Sequence, residues 1–369
     1  MIVVDFIREK GLQALTDELG VAVREYDDFI CLNYDMIESP KAHPVVMECR
    51  GLILNRHTME VVCRPLTRFF NFGEADTQDF DFSNCRILEK ADGSYIKIWF
   101  NDVDRRWEIG TRSTAFAEPN HAFGSKTDWT FREAVLDAMH FTEEQFQDCM
   151  FVHNQNFTIL AEYVSPFNRI VTRYDEPHMV LLGARHRNGE EKQNLILLFE
   201  SLKNNKMNVR LPEVYNANSV DEVLKMCEEL PDLKEGFVCQ EIVTGRRVKI
   251  KNKQYIVAHQ LRGNGTPTLN NIMEVVLSGE TDELLSYFPE FSVFIDPVEY
   301  AKKVMLHSAD MAYTDNWHHE SQKDFALSIK DLDCAPILFA ARKKNITVLQ
   351  TFNEMEMNQK KNLLSRYLD

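Results

Sequence analysis

The spacing of apolar residues changes about two-thirds of the way along this chain of 369 residues. Up to about residue 255, short apolar runs alternate with polar and glycine-containing turns, which is typical of β-strands. From about Thr266 the apolar residues recur at helical spacing. This order predicts the α+β fold class, with a boundary near residue 255 and a separate all-α domain over residues 256–369.

The predicted elements follow from the length and period of each run. We expect strands over 21–26, 29–34, 50–54, 61–64, 85–88, 95–100, 107–111, 157–164, 179–184, 194–199, 234–240 and 248–251. We expect helices over 1–20, 129–150, 220–230, 269–277, 282–288, 297–306, 319–330, 335–344 and 349–368, and a polar loop from Arg112 to Asp128.

One hexapeptide, Glu89-Lys90-Ala91-Asp92-Gly93-Ser94, lies between two of the predicted strands. It predicts that Lys90 leaves the first strand and that Asp92 and Gly93 turn the chain into the second, as in a β-hairpin. A lysine amine is a nucleophile only when it is neutral, so a reactive lysine needs neighbouring cations or burial to lower its pKa. A tight turn with a solvated lysine is the more common interpretation of such a sequence, and other residues have to decide between the two.

Several cations lie where an anion could bind. Arg50-Gly51 opens a predicted buried strand, where a guanidinium can reach an anion beside the backbone. Arg68 precedes a group of phenylalanines that includes Phe70, and such a cluster can hold a nucleotide by stacking and charge. Lys249 and Lys251 are two residues apart, so strand period places both on one face. Each position also fits an ordinary solvated face, and the phenylalanines also fit a core.

Two carboxylates have unusual surroundings. Glu162 lies within an apolar strand, where it is either on the exposed face of an edge strand or holding a cation or a hydroxyl. Glu235 precedes Gly236 on the arm before Lys249 and is available to a divalent metal.

The formal net charge of −15 argues against a non-specific nucleic-acid coat protein, because such binding relies on lysine and arginine. Basic stretches at 64–68, 203–210, 246–253 and 342–344 still permit a local basic groove. The eight cysteines are scattered without a C-x-x-C pair, which indicates reduced thiols. No apolar run approaches the length of a membrane span, and the first 20 residues have the pattern of an amphipathic helix rather than a signal peptide. We therefore expect a soluble, cytoplasmic protein.

Taken together, these motifs resemble the covalent nucleotidyltransferases, and among them the phage RNA ligase 1 family. The resemblance extends over nearly the whole chain. It rests on Glu48-Cys49-Arg50-Gly51, Lys90-Ala91-Asp92-Gly93-Ser94, Pro166-x-Asn168-Arg169-Ile170-Val171, the segment 237–251 and Gly279-x-x-Asp282-x-Leu284. It implies a nucleotidyltransferase domain of antiparallel sheets with flanking helices over residues 1–255, and a helical domain that contributes to the choice of RNA or tRNA.

The resemblance also implies roles for individual residues. Lys90 would attack the α-phosphate of ATP and carry AMP, with Mg²⁺ or Mn²⁺ as the metal. Other implied contacts to the nucleotide involve Arg50, Arg68, Phe70, the backbone at Glu89, Gly93, Arg112, Glu162, Glu235, Lys249 and Lys251. The implied metal ligands are Glu235 and Asp282. Arg68 and Arg112 stand where the family has lysines, so the geometry of their contacts differs.

The implied substrate is RNA with a 5′-phosphate and a 3′-hydroxyl, in particular tRNA under repair. An end-healing kinase or phosphatase would act beside it, in the cytoplasm of an infected host cell if the chain is phage-encoded. Two alternatives are a DNA ligase and a capping enzyme that uses GTP. A third is a non-catalytic protein that binds RNA ends, although such a protein has no need of a nucleophilic lysine.

Overall fold

The computed structural model describes residues 1–74, 77–117, 129–231, 233–256, 259, 268–318 and 321–368. The chain divides into two compact units, Met1–Tyr255 and Ile256–Asp369. The first unit combines three β-sheets with helices, whereas the described part of the second contains helices and no strand. The structure therefore confirms the α+β class and the all-helical carboxy-terminal region.

Within the described residues, the strands all lie in the first unit. They are β1 (Val21–Glu25), β2 (Phe29–Tyr34), β3 (Arg50–Asn55), β4 (Val61–Cys63), β5 (Phe70–Asn71), β6 (Cys85–Glu89), β7 (Ser94–Asn101), β8 (Arg106–Thr111), β9 (Phe157–Val164), β10 (His178–His186), β11 (Val209–Arg210), β12 (Val214–Tyr215), β13 (Gly236–Glu241) and β14 (Arg247–Lys251).

The helices occur in both units. They are α1 (Ile2–Lys10), α2 (Gln13–Leu19), α3 (Pro44–Glu48), α4 (Phe131–Met139), α5 (Glu143–Phe151), α6 (Ile196–Asn204), α7 (Val220–Glu228), α8 (Lys253–Ile256), α9 (Leu269–Ser278), α10 (Thr281–Tyr287), α11 (Ser292–Asn316), α12 (Gln322–Ile329), α13 (Ala335–Lys344), α14 (Val348–Glu354) and α15 (Met357–Leu364).

The strands form three sheets. Sheet I has the order β1-β2-β3-β4, sheet II the order β11-β10-β9-β7-β8, and sheet III the order β12-β6-β13-β14-β5. Neighbouring strands are antiparallel except for two short edge strands, β11 beside β10 and β5 beside β14, which pair in parallel. The antiparallel architecture is thus correct except at these two edges.

Strand β7 is buried on both faces and joins sheets I and II. Ile96 and Ile98 pack in a core with α4 and α5. On the opposite face, Trp99 packs against Phe29 of sheet I, with ring centroids 5.1 Å apart. This double burial explains why β7 is a nearly continuous apolar run instead of an alternating one.

The predicted hairpin around Lys90 is wrong. Strand β6 pairs with β12 and β13 in sheet III, whereas β7 pairs with β8 and β9 in sheet II. The two strands therefore do not pair with each other, although β7 does pair with the strand that follows it, β8. The connection that carries Lys90 therefore passes from one sheet to another.

Other differences concern ends and breaks. The run at 194–199, expected as a strand, belongs to helix α6, which buries Leu198 and Leu202 four residues apart; a short apolar run does not distinguish the two structures. The predicted helices 1–20, 129–150 and 349–368 are each divided into two. The second of these breaks at His140, which adopts a left-handed conformation with φ of 62°. Helix α11 begins before and ends after the predicted 297–306. Residues 118–128 of the expected polar loop and the start of the expected helix 319–330 lie outside the described residues.

Among the described helices, none is both long enough and apolar enough to cross a membrane.

Candidate active site

Lys90 lies at the crossing between sheets II and III. Its backbone N–H donates to the Gly236 carbonyl at 2.9 Å, which anchors it beside β13. Its side chain, 22% exposed, places Nζ 2.6 Å from Oε2 of Glu235. Lys90 is therefore a partly buried, ion-paired lysine and not a solvated turn residue.

The turn after Lys90 is fixed by Asp92, which is 3% exposed. Its Oδ2 accepts from the N–H groups of Val171 and Thr172 at 2.9 and 2.7 Å, and its Oδ1 accepts from the Tyr255 hydroxyl at 2.7 Å. Its own N–H donates to the Tyr174 hydroxyl at 3.0 Å. A buried carboxylate with so many donors has one geometry, so Asp92 sets the backbone from which Lys90 projects.

Gly93 permits a close approach of β9. A Cβ atom added at this position would lie 2.2 Å from the Tyr163 carbonyl oxygen, which no side chain tolerates. Asp92-Gly93 thus joins sheet II to the lysine, a function different from the hairpin turn that the sequence predicts.

Glu235 is 4% exposed and is shared by two lysines. Besides Lys90, the Lys251 ammonium lies 3.2 Å from Oε1. Burial alone would raise the pKa of Glu235, but the two ammoniums and their hydrogen bonds bring it below its ordinary value. The carboxylate is therefore ionised and holds both cations in place.

Glu162 lies in the interior of sheet II and not on an edge strand. On β9 it pairs with Tyr95 of β7 on one side and Val180 of β10 on the other. Burial raises the pKa of Glu162 to about 7, Glu235 adds to this rise and Lys90 opposes it. The edge-strand alternative is wrong.

The raised pKa of Glu162 predicts a pH-dependent cost to stability. A carboxyl whose pKa is higher in the folded state than in the unfolded state favours folding when it is protonated, and that contribution is lost as pH rises through about 7. Glu162→Gln should therefore gain stability over the wild type between pH 5 and pH 8, by about 2 kcal/mol. Urea unfolding at both pH values measures this, and Glu176→Gln, in an exposed side chain, controls for the loss of one charge. An equal difference at both pH values would contradict it.

Two arginines contact the Tyr34 ring, and a third contacts two other aromatic rings. The Arg68 Nη1 donates to the Tyr34 hydroxyl at 2.8 Å, and the Arg68 and Arg112 guanidiniums lie 4.8 and 5.1 Å from the ring centroid. Arg50 lies 4.6 Å from the Tyr95 ring and 5.5 Å from the Phe69 ring. Burial acts to raise the pKa of Tyr34, but the three guanidiniums outweigh it and lower that pKa.

This arginine cluster, Arg50, Arg68 and Arg112, has unused hydrogen-bonding capacity. Burial, with Arg50 and Arg68 nearby, lowers the pKa of Arg112. Within the described part of the chain, Nη1 of Arg50 and Nε of Arg68 are buried without a hydrogen-bond partner. Buried guanidiniums of like charge are favourable only where an anion binds, so the cluster is a candidate polyphosphate site.

The remaining predicted residues lie around these groups. Lys249 and Lys251 share one face of β14, as the period predicts. Phe70 pairs with Val248 in parallel, and its ring lies 4.9 Å from the Arg68 guanidinium. Glu89 is 7% exposed, and both its oxygens accept from Arg210 at 2.5 and 3.0 Å.

The sequence gives no indication of several supporting residues. Arg210, Tyr174, Tyr255 and Tyr34 contact the site from distant segments. Only Arg210 belongs to a segment noted from the sequence, the basic stretch 203–210. The charge of that stretch does not predict where Arg210 lies in the fold.

The donor set for a metal is small. The described residues contain no group of three or more histidine, cysteine, aspartate or glutamate side chains that could hold an ion. Mg²⁺ at nucleotide sites commonly takes one or two carboxylates together with substrate phosphates, and Glu235 fits that requirement. Asp282 belongs to α10 of the other unit.

Comparison with known proteins shows the same family that the sequence motifs indicate. A sequence model of a family described as RNA ligase matches residues 48–255. A protein of Autographa californica nuclear polyhedrosis virus, named as a bifunctional polynucleotide kinase/RNA ligase, is 33% identical over 323 residues, which cover 81% of this chain and 43% of that protein. The RNA ligase of Rhodothermus phage RM378 is 24% identical over 295 residues, 65% of each chain.

Solved structures give a weaker likeness. An archaeal ATP-dependent RNA ligase is 11% identical, with a TM-score of 0.47 over 79% of this chain and 78% of that one. The chain spans less than two thirds of the length of either relative above. The family match covers more than half of the chain and includes Lys90, Asp92, Glu235 and Lys251. As the sequence motifs indicate, this chain belongs to the RNA ligase family.

Proposed function

We propose that this chain is an ATP-dependent RNA ligase that joins a 5′-phosphate to a 3′-hydroxyl through AMP bound covalently to Lys90. The observation that carries the proposal is the position of Lys90 in a member of the RNA ligase family. Its Nζ lies beside Glu235, which also holds Lys251, and its backbone is fixed through Gly236 and the Asp92 turn.

The reaction starts from the state in which Lys90 forms an ion pair with Glu235. Before it attacks, the Lys90 Nζ gives up one proton to solvent and leaves the Glu235 carboxylate, and it gives up a second proton to solvent as the bond to phosphorus forms. The triphosphate of ATP brings negative charge toward Lys251, so it competes with Glu235 for that cation. Nζ then bonds to the α-phosphorus, the bond to the β-phosphate oxygen breaks, and pyrophosphate leaves.

Two further transfers complete the joining. An oxygen of the RNA 5′-phosphate attacks the AMP phosphorus, and the bond to Nζ breaks. The 3′-hydroxyl then loses its proton to solvent and attacks the activated 5′-phosphate, and AMP leaves. This order links ATP cleavage to the formation of the phosphodiester.

Cations of the chain stabilise the charge that grows on phosphoryl oxygens. We assign Lys249 and Lys251 to the reacting phosphate, and the arginine cluster to the outer phosphates. Glu235 is the residue that would hold Mg²⁺ or Mn²⁺, and the ion would supply further neutralisation of phosphate charge.

The remaining assignments follow the resemblance. Glu162 contacts the ribose, the backbone at Glu89 reads adenine, and Phe70 packs on the nucleotide. We assign Gly93 to the nucleotide through its backbone atoms, because β9 occupies the space that a side chain would fill.

A joining assay tests the proposal. The purified chain is mixed with Mg²⁺, ATP or GTP, and RNA or DNA strands that carry a 5′-phosphate and a 3′-hydroxyl. We expect joined RNA with ATP. A preference for GTP or for DNA would favour the capping enzyme or the DNA ligase, and the absence of any covalent nucleotide would favour a protein that only binds RNA ends.

We also propose tRNA repair in the host cytoplasm as the setting. The baculovirus relative bears the name of a polynucleotide kinase as well as of a ligase. Ligation needs a 5′-phosphate and a 3′-hydroxyl, so we infer that an end-healing kinase or phosphatase acts before this chain.

We assign the choice of RNA to the helical unit. It has its own buried core, which includes Ile272, Met305, Phe325 and Phe352, so its absence should leave the first unit folded. A chain ending at Tyr255 is expected to form covalent AMP but to lose its preference for nicked tRNA over unstructured RNA. Both substrates are compared side by side, and an equal fall in both would indicate a purely structural role.

A further inference from the structure

Lys97 is a lysine that the proposed reaction does not use. It lies on β7, is 0% exposed, and faces sheet I between the two sheets. Its Nζ donates to the Gly51 carbonyl and lies 3.5 Å from Sγ of Cys31. Among the residues that the structure describes, no carboxylate forms an ion pair with it. A buried ammonium without a carboxylate is costly to stability.

Two glycines make room for this lysine. A Cβ atom at Gly51 would lie 3.0 Å from the Lys97 Nζ, and one at Gly110 would lie 2.8 Å from its Cε. Gly51 also has a φ of +86°, which other residues rarely adopt. The backbone is thus shaped around the lysine from both sides.

The space that Gly51 and Gly110 leave for Lys97 lies next to the backbone of two arginines of the cluster. Gly51 follows Arg50 directly, and a Cβ atom on Gly51 would lie 2.3 Å from the Arg112 carbonyl oxygen. Gly110 is two residues before Arg112 on the same segment. The Lys97 ammonium therefore holds the point at which the backbones of Arg50 and Arg112 meet.

We propose that Lys97 is a positioning residue for the outer phosphates of ATP. It fixes the Gly51 carbonyl, and thereby the backbones that carry the side chains of Arg50 and Arg112 into the arginine cluster. This inference rests on the proposed function and adds a residue to it. A well-packed apolar side chain in this position would favour folding more than the lysine does. The protein therefore keeps a cation here at a cost to stability, as expected when a residue serves binding rather than folding.

The test compares Lys97→Met with the wild type in four measurements. The midpoint of thermal unfolding should stay equal or rise, because an uncompensated buried charge is removed. The affinity for inorganic tripolyphosphate, measured by calorimetry, should fall by about 10-fold or more, as when a supporting contact of a site is removed. The affinity for AMP should change much less, because AMP lacks the outer phosphates. In self-adenylation, the ATP concentration for half-maximal rate should rise more than the maximal rate falls.

A matched control is available in the helical unit. Lys361 is 9% exposed and pairs with Glu274 at 2.7 Å. Lys361→Met removes a buried lysine of the same size and should leave tripolyphosphate affinity unchanged. Lys97→Gln retains an N–H donor for the Gly51 carbonyl and should recover part of the affinity that Lys97→Met loses.

Three results would overturn the inference. The first is wild-type affinity for tripolyphosphate in Lys97→Met. The second is a lower unfolding midpoint with equal losses for AMP and tripolyphosphate, which is the behaviour of a structural lysine. The third is a wild-type protein that neither binds tripolyphosphate nor forms covalent AMP, which would remove the proposed function as well.

Discussion

Replacing Lys90 with alanine should abolish the covalent attachment of AMP. The purified variant is incubated with α-labelled ATP and Mg²⁺ without RNA, denatured, and examined for label that remains on the protein. No label is expected, because the phosphoramidate forms on the Lys90 Nζ and alanine offers no nucleophile. Lys90→Arg should fail equally. Its guanidinium can still pair with Glu235, but it stays protonated and cannot attack phosphorus.

The fold should survive this change. Lys251 remains 3.2 Å from Glu235, so the buried carboxylate keeps one cation when Lys90 is removed. RNA that already carries AMP on its 5′-phosphate bypasses the lysine, so the variant should still seal it. Lys234→Ala is a close control, since Lys234 directly precedes Glu235 but pairs with Glu213 at 3.4 Å. Wild-type labelling of Lys90→Ala, mapped to another lysine, would show the assignment to be wrong.

Replacing Lys251 with alanine should slow self-adenylation by about 100-fold, as when one charged donor to a transition state is lost. Two effects act in the same direction. The phosphoryl oxygens lose a cation as their charge grows. Glu235 loses its second partner, so its attraction for the Lys90 ammonium is no longer shared.

The control for Lys251 lies two residues further along the chain. Lys253 is half exposed and forms a surface pair with Glu228 at 3.6 Å, so Lys253→Ala should label at the wild-type rate. The rate is measured by rapid quench at saturating ATP, where weaker binding of ATP no longer matters. Equal rates in the two variants would place Lys251 outside the reaction.

The extent to which the sequence predicts this site depends on the range of each interaction. The shared face of Lys249 and Lys251 follows from the period of a single strand, and the structure has it. The pair between Lys90 and Glu235 joins residues 145 positions apart, and no local pattern contains that information. The motif resemblance placed both residues near one nucleotide, but not in contact with each other.

The wrong predictions about the Lys90 hairpin and the position of Glu162 have a common physical cause, which is that strand pairing depends on segments distant in sequence. The hairpin at Lys90 assumes that β6 and β7 pair with each other, whereas β6 pairs with the distant β13 and β7 pairs with β8 and the distant β9. The sequence around Glu162 is compatible with an edge strand, because the strands on either side of β9 come from distant segments of the chain. Lys97 lies in an apolar run, and nothing local shows that Gly51 and Gly110 leave space for it.

The bonds to Asp92 also determine when the site can form during synthesis. Its hydroxyl partner Tyr255 is 163 residues further along the chain and is the last residue of the first unit. During translation, domains generally fold as units once their residues have left the ribosome. The turn that carries Lys90 therefore lacks one of its fixing contacts until the whole first unit has been made. A nascent or prematurely ended chain would contain Lys90 but would lack the Tyr255 contact that fixes its turn. The complete site therefore forms only after the whole first unit has been synthesised.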